Sequence, residues 1–480
     1  SRIIIPSISH RFPILVTTRK NSSIGIFERP NVQSNIFNVL KDPMEHDSSL
    51  PSFMVGYKNG FLPRQDPLAC LPNRFYALEY LLQKMPIRLP NGEQGLLAKG
   101  KLGEAVKDLP LYDVSSISDQ RLLSALFRDY TFLASAYLLE PCDIMYREKK
   151  DYGLGRQILP KNIAVPLNNV AKKLYAFPFM EYTLSYSLAS VLVKKFESIF
   201  LNLDPFLPIT YPNLNLVRAF AGTPSEHGFI LVHVAMVANS GNLVRWTIET
   251  LNSAEQNDRL KFNNALKNLN DTMFSINQEM ETMWKRSNPD DYLKFRTFIM
   301  GSKNQPMFPN GESGANDSMI PCMDNLLQLT EKMPDNPLTE VLKDFRKYRP
   351  TNHKKFLNYV QNRANEVNDA NSATHYLENM DQIRAFRNRH WNFTKEYVIK
   401  NTVHPVATGG SPIVTWLPNQ LYTILDQIIQ IGQTIDNTQL SFENKIKLDE
   451  ILNRATTQER VLTREVKYLK ELFGKSQDKI

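Results

Sequence analysis

Two of the eight histidines in this chain lie inside helical stretches with apolar or aromatic neighbours: His233 in FILVHVAMV (229–237) and His390 in DQIRAFRNRHWNFTKEYV (381–398). Arg387 precedes His390 by three residues, and positions three apart share a helix face. An imidazole and a guanidinium could therefore reach one planar, anionic cofactor. Haem answers that description, since its iron takes an axial imidazole and its two propionates need cationic partners. Downstream, ATGGSPIVTWL (407–417) supplies a Gly-Gly turn able to fold back over whatever the histidine holds.

The other histidines carry less. His10 and His46 lie in irregular N-terminal sequence and read as solvent-exposed. His227, beside Gly228, and His353, after Pro350, read as helix starts, and His375 and His404 have no obvious partner. No HExxH spacing supports zinc, no GxGxxG follows a strand, and neither GxxxxGK[ST] nor GxSxG occurs. The simple routes to nucleotide binding and serine hydrolysis are thereby removed.

Composition narrows the class further. The chain has 480 residues, enough for two domains and a large core, with 42% hydrophobic and 22% charged residues. Three widely spaced cysteines (Cys70, Cys142, Cys322) form no CxxC, which argues against a disulfide framework or a cysteine zinc site and fits a reducing, cytoplasmic setting. The net charge of +8 is scattered among acids rather than gathered in a basic tract, so nucleic-acid binding is not expected. A modest positive excess also suits small anionic ligands. No apolar run approaches the roughly 18 residues of a membrane span. Residues 1–27 lack Asp and Glu but carry Arg and Ser; Pro6 and Pro13 interrupt any amphipathic helix there, so this reads as a loose extension rather than a transit peptide.

The elements that must position these groups read as helices. Residues 1–60 are irregular. A smaller helical domain follows over 61–209, with FYALEYLLQKM (75–85), QRLLSALFRDYTFLASAYLL (120–139), ILPKNIAVPLNNVAKKLY (158–175) and FMEYTLSYSLASVLVKKF (179–196) each at helical spacing. Pro212, Gly222 and Pro224 mark the passage into a larger helical domain, 210–440. There FILVHVAMVANSGNLVRWTIETLNSA reads as one long helix, and DDYLKFRTFIM (290–300) as a short one. The tail, 441–480, reads as an amphipathic helix with Leu448, Ile451, Leu462, Val466 and Leu469 inward, docking on the body or on a partner. The fold class is all-α.

Several fragments, in order, give the chain a likeness beyond these patterns: GFLPRQDP (60–67), ILPKNIAVPL (158–167), FRTFIMG (295–301), SGANDSMIPCMDNLL (313–327), DFRKYRPTNHKKFL (344–357), FRNRHWNFTKEYV and ATGGS. Together they resemble the indoleamine 2,3-dioxygenase family, two-domain helical enzymes that bind haem b. The resemblance implies His390 as the proximal iron ligand, Arg387 as a propionate contact and Asp324 as the aspartate pairing with that arginine. It implies Arg296 as the grip on a substrate carboxylate, a task suited to a planar bidentate donor. Phe229, Tyr182, Ser185, Tyr292 and Ser313 match pocket positions, and Thr408, Gly409 and Gly410 match a loop that closes over substrate.

The sequence departs from the family at His233, where the animal enzymes have a small distal residue. A histidine there is similar to the related tryptophan 2,3-dioxygenases, where it meets the indole N–H, and to oxygen-storage globins, where it meets dioxygen. Asp291 and Tyr292 also replace a commonly aromatic pair. The resemblance implies a dioxygenase that opens the indole C2–C3 bond of tryptophan to N-formylkynurenine, the first step of the kynurenine pathway, with His233 and Arg296 as catalytic residues. The alternatives are a haem protein of this fold with another indole oxidation, or a non-enzymatic oxygen binder using His233.

Overall fold

Three- and four-residue apolar spacing becomes helix through most of the chain in a computed structural model, which describes residues 37–42, 47–193, 208–299, 317–333, 346–364, 370–401 and 413–477. The first helices are α1 (Tyr76–Lys84), α2 (Gln120–Lys149) and α3 (Lys161–Lys173). The sequence pattern on α1 is realised, with Leu78, Leu81 and Leu82 all buried. Asp119 caps α2 by accepting from the Leu122 amide at 2.7 Å. Helix α2 runs on through Pro141, which cannot donate to the Tyr137 carbonyl one turn back. That carbonyl instead accepts from the guanidinium of Arg156, which also pairs with Glu140 at 2.6 Å. The lost helical bond is thus replaced by a side chain.

Buried charge ties the N-terminal part together. Arg218 donates to both oxygens of Glu79 on α1, at 3.0 and 2.7 Å, and to both oxygens of Asp129 on α2, at 2.9 Å each. Arg128 reaches the same Asp129 at 2.7 Å and the Leu68 carbonyl at 2.8 Å. Such a cluster is costly to desolvate, and removing any one member leaves an uncompensated charge.

Of the helix that spacing predicts over 179–196, the described part, 179–193, is not helical throughout. It forms one π-turn over Tyr182–Tyr186, a 3-10 turn over Leu188–Ser190, and strand β1 (Val191–Val193). Glu181 caps the turn by accepting from the Thr183 and Leu184 amides. β1 pairs antiparallel with β2 (Leu214–Leu216), Val191 opposite Leu216, in the only sheet among the described residues. Its β-branched residues find a partner strand that no local pattern reveals.

Helix α4 (Pro224–Val237) opens the second half. Thr223 caps it, and the buried Glu226 reaches back to accept from the amides of Phe220, Ala221 and Gly222, each at 2.8 Å. The long helix predicted from 229 onward breaks at Ala238–Asn239, after which α5 (Ser240–Glu255) begins. Ser240 accepts from the Phe61 amide at 2.9 Å, so the break receives the 56–61 turn. Taken across that break, Pro224–Glu255 is long and apolar enough to cross a membrane by length and composition alone, but 67% of its apolar window is buried within the chain's own fold, as in the core helix of a globular protein.

The remaining long helices stack on one another: α6 (Arg259–Glu281), α7 (Pro289–Arg296), α8 (Met319–Leu326), α9 (Thr351–Arg363), α10 (Ala370–Tyr397), α11 (Ile413–Thr434) and α12 (Phe442–Gln477). The helix predicted over 290–300 ends at Arg296 and tightens into a 3-10 turn. Helices α4, α5 and α10 all pack on α6, and α12 packs on α10 and α11. The tail residues predicted to face inward are all buried, so α12 docks on the body. Asp381 with Arg454, Arg384 with Gln458 and Trp391 with Glu465 show α10 and α12 running parallel in constant register. Phe37–Ile480 form a single compact unit.

Candidate functional site

A cavity of about 780 Å3, its mouth included, opens where α4 and α10 flank α6. α4 contributes Phe229, His233 and Met236; α10 contributes His390, Phe393, Thr394 and Tyr397; Tyr182 and Ser187 come from the π-turn region, and Met280, Met283 and Tyr292 complete the wall. His233 and His390, 157 residues apart in sequence, therefore share one chamber.

The approach of α4 depends on Gly228. A Cβ there would lie 1.7 Å from the Arg286 carbonyl oxygen, so only glycine lets α4 press against the Met283–Arg286 turn. That contact places Met283 on the cavity wall beside Phe229.

His390 is accessible from the cavity, yet protein encloses it. That enclosure first, and the neighbouring His233 second, push its pKa down to about 4, so the ring is neutral with a lone pair available. His233 is half-buried, and its Nδ1 lies 2.7 Å from the Phe229 carbonyl oxygen one turn back. Burial lowers its pKa as well, with the Phe229 carbonyl opposing the shift. The rings of Phe229 and Tyr182 meet His233 edge-on at 4.8 and 5.8 Å between centroids. Phe229 also packs on Tyr292 at 5.3 Å, giving an aromatic corner.

Arg387 and Asp324 meet as a buried pair one turn before His390, outside the cavity lining. Nη2 of Arg387 donates to both Asp324 oxygens, at 2.9 and 2.8 Å, and Nη1 donates to the Gln420 carbonyl at 3.3 Å. Nε of Arg387 is buried with no hydrogen-bond partner among the described residues.

Other predicted site residues fall elsewhere. Arg296 is buried at the end of α7, outside the cavity lining, close to the hydroxyls of Tyr146 and Tyr152. Burial pushes Tyr152 up to about 12 against the opposing pull of Arg296. Ser185 is buried inside the π-turn, its hydroxyl accepting from the Glu181 amide at 3.5 Å; Ser187, two residues on, is the serine at the cavity. Asp291 faces away, accepting from Ser225 at 2.8 Å. Ser313, Thr408, Gly409, Gly410, His10, His46 and His404 lie outside the described residues. His375, read as lacking a partner, bonds Glu378 at 2.8 Å, and His353, on the first turn of α9, bonds Ser318 at 3.1 Å.

Sequence reasoning missed Met236, Met280, Met283, Ser187, Phe393, Thr394 and Tyr397 as lining residues. Thr394 and Tyr397 were findable, lying four and seven positions after His390 on its helix face. The methionines carry no such signal, being ordinary core residues by pattern.

These residues fit haem. A neutral imidazole projects into a chamber walled by thioethers and aromatic rings, and a buried guanidinium one turn away retains an uncommitted Nε–H. Apolar walls suit the porphyrin face, the imidazole suits iron, and the guanidinium suits a propionate.

Comparison with known proteins gives the family. The family model of Indoleamine 2,3-dioxygenase matches residues 49–411. Indoleamine 2,3-dioxygenase 1 of Rattus norvegicus is 24% identical over 358 residues, covering 68% of this chain and 82% of its own length. Indoleamine 2,3-dioxygenase nanC of Aspergillus nanangensis is 22% identical over 404 residues, covering 78% and 92%. A protein named Myoglobin from Haliotis diversicolor is 23% identical over 379 residues, covering 74% and 90%. With most of its length matched and an all-helical fold around the two-histidine chamber, the chain belongs to the indoleamine 2,3-dioxygenase family.

Proposed function

We propose that this protein is a haem-dependent dioxygenase that converts tryptophan or a related indole, with O2, to the N-formylkynurenine-type product. The observation that carries the reading is the shared chamber of His233 and His390 beside the aromatic corner of Tyr182, Phe229 and Tyr292. His390 would hold the iron, and Arg387, braced by Asp324, would meet a propionate. Haem, when bound, supplies dioxygen activation for insertion across the indole C2–C3 bond, with both oxygen atoms retained in the product and no net electrons consumed.

The protein's own groups do the rest. The aromatic corner holds the indole by stacking and edge contacts. The backbone carbonyl of Phe229 can only accept, so Nδ1 of His233 carries the ring proton and Nε2 presents a lone pair. That lone pair is suited to receive an indole N–H. Thr408, Gly409 and Gly410 belong to this proposal as the substrate cover that the family resemblance implies, Ser313 as a pocket group, and Arg296 as a carboxylate ligand. The division into a small domain (61–209) and a large one (210–440), a cytoplasmic location and the first kynurenine-pathway step belong to it too.

A second reading, oxygen binding without turnover, is favoured by the relative named Myoglobin. The His233 tautomer weighs against it, because stabilising bound oxygen needs a donor where Nε2 offers an acceptor. Haem-loaded ferrous protein in air with L-tryptophan tests both. Accumulating N-formylkynurenine absorbance supports the dioxygenase; a stable oxygenated spectrum without product supports the carrier.

A further inference from the structure

We propose that His233 is a second iron ligand, so that in the substrate-free protein the metal is held between the imidazoles of His233 and His390. The inference rests on the haem reading above and goes beyond it, since a distal residue need not touch the metal at all.

The geometry around His233 is that of a prepared ligand. Nδ1 donates to the Phe229 carbonyl at 2.7 Å, which fixes the tautomer and the ring plane. Metal-bound histidines are usually oriented by such an outer partner, which also raises the basicity of the coordinating nitrogen. Nε2 is left as the coordinating nitrogen and makes no hydrogen bond among the described residues. The edges of Phe229 and Tyr182 hold the ring from two sides. α4 itself is pinned by the Thr223 cap, the Glu226 bonds and the close approach at Gly228. His233 thus lines the chamber in a fixed pose rather than swinging on an exposed surface.

His390 enters the same chamber from a different helix, and α4 and α10 both pack on α6. Among the other described lining groups, Tyr397 is committed, donating to the Ser287 carbonyl at 2.5 Å. The thioethers of Met236, Met280 and Met283 are softer competitors and have no comparable orienting partner.

The same lone pair cannot hold iron and accept an indole N–H together. An arriving indole must therefore draw His233 off the metal, which opens the oxygen-binding position only when substrate is present.

The test uses the full haem-loaded chain near neutral pH with no added ligand. Absorption and electron paramagnetic resonance should show a six-coordinate, low-spin, bis-imidazole centre. His233→Ala should keep haem through His390 but become high-spin, and free imidazole should restore the low-spin spectrum. Carbon monoxide should bind the ferrous variant at least tenfold faster than the parent, and L-tryptophan should shift the parent toward high spin. A bound haem that is high-spin in the parent, or unchanged by His233→Ala, or ligated by a thioether, overturns this inference and leaves the haem reading intact. Failure of the parent to take up haem overturns both.

Discussion

Arg387 lays one guanidinium nitrogen against both carboxylate oxygens of Asp324, and it does so one helical turn before His390. Both partners are nearly fully buried. Asp324→Ala would strand the guanidinium in a low-dielectric site, at a cost of roughly 3–5 kcal/mol. Denaturant unfolding should show that loss without cofactor, and haem retention should weaken in parallel.

His390 makes no hydrogen bond among the described residues and faces a cavity. His390→Ala should therefore leave the stability of the cofactor-free protein within about 0.5 kcal/mol while weakening haem retention and shifting the Soret band. Calorimetry on the free protein and a haem titration separate the two effects.

The Arg218 cluster sets the acid limit of the fold. Burial raises the pKa of Glu79, but hydrogen bonds and charge from Arg218 outweigh it and leave the carboxyl below its ordinary value. Burial also opposes ionisation of Asp129, and there Arg128 and Arg218 together prevail. Depressed carboxyl pKa values contribute stability above the unfolded-chain value of about 4, and that stability is lost as pH falls through the lower folded values. The contribution of this cluster to the unfolding midpoint, read as the difference between the parent and Arg218→Met, should be level from pH 7 to about 5 and decline below that. Arg218→Met should flatten the acid limb and cost roughly 3–5 kcal/mol at neutral pH.

A methyl group at position 228 has nowhere to go, since the Arg286 carbonyl occupies its place. Gly228→Ala should displace α4 from the Met283–Arg286 turn and cost about 1–3 kcal/mol. Haem uptake should fall with it, and intrinsic quenching of Trp284 by bound haem would report the change.

If the His233 lone pair receives the indole N–H, its worth depends on that hydrogen. His233→Ala should lower kcat/KM for L-tryptophan about tenfold, equivalent to roughly 1.4 kcal/mol. The N-methylated analogue, which has no hydrogen to give, should show no such loss. Equal losses for both compounds would remove the acceptor role.

How far the sequence could be read depended on whether a group's partner was local. The helix bearing Arg387 and His390 was legible because three-residue spacing and amphipathic period are properties of a single segment, and so was the inward face of α12. The strand at Val191–Val193 was not, because its partner Leu214–Leu216 lies beyond the chain's next turn and nothing in FMEYTLSYSLASVLVKKF announces it. The break at Ala238–Asn239 was hidden for the same reason, since it answers to Phe61 and the 56–61 turn rather than to any local breaker. Within the site, His233 was legible as chemistry but not as geometry: its tautomer follows from a carbonyl distance. The Arg296 position beside Tyr152, and the choice of Ser187 over Ser185 at the cavity, turn on side-chain direction around a π-turn and a helix end, which spacing alone does not encode.

The parallel register of the last helix with the helix bearing His390 makes the tail a splint for that segment. Glu465 grips both the indole nitrogen of Trp391, at 2.9 Å, and the ammonium of Lys395, at 2.7 Å, one and five positions after His390 on the same helix. A cut in the short turn joining α11 to α12 would therefore be felt at His390, about fifty positions earlier in sequence, as a loosening of the imidazole's footing rather than as a loss of any group in the chamber.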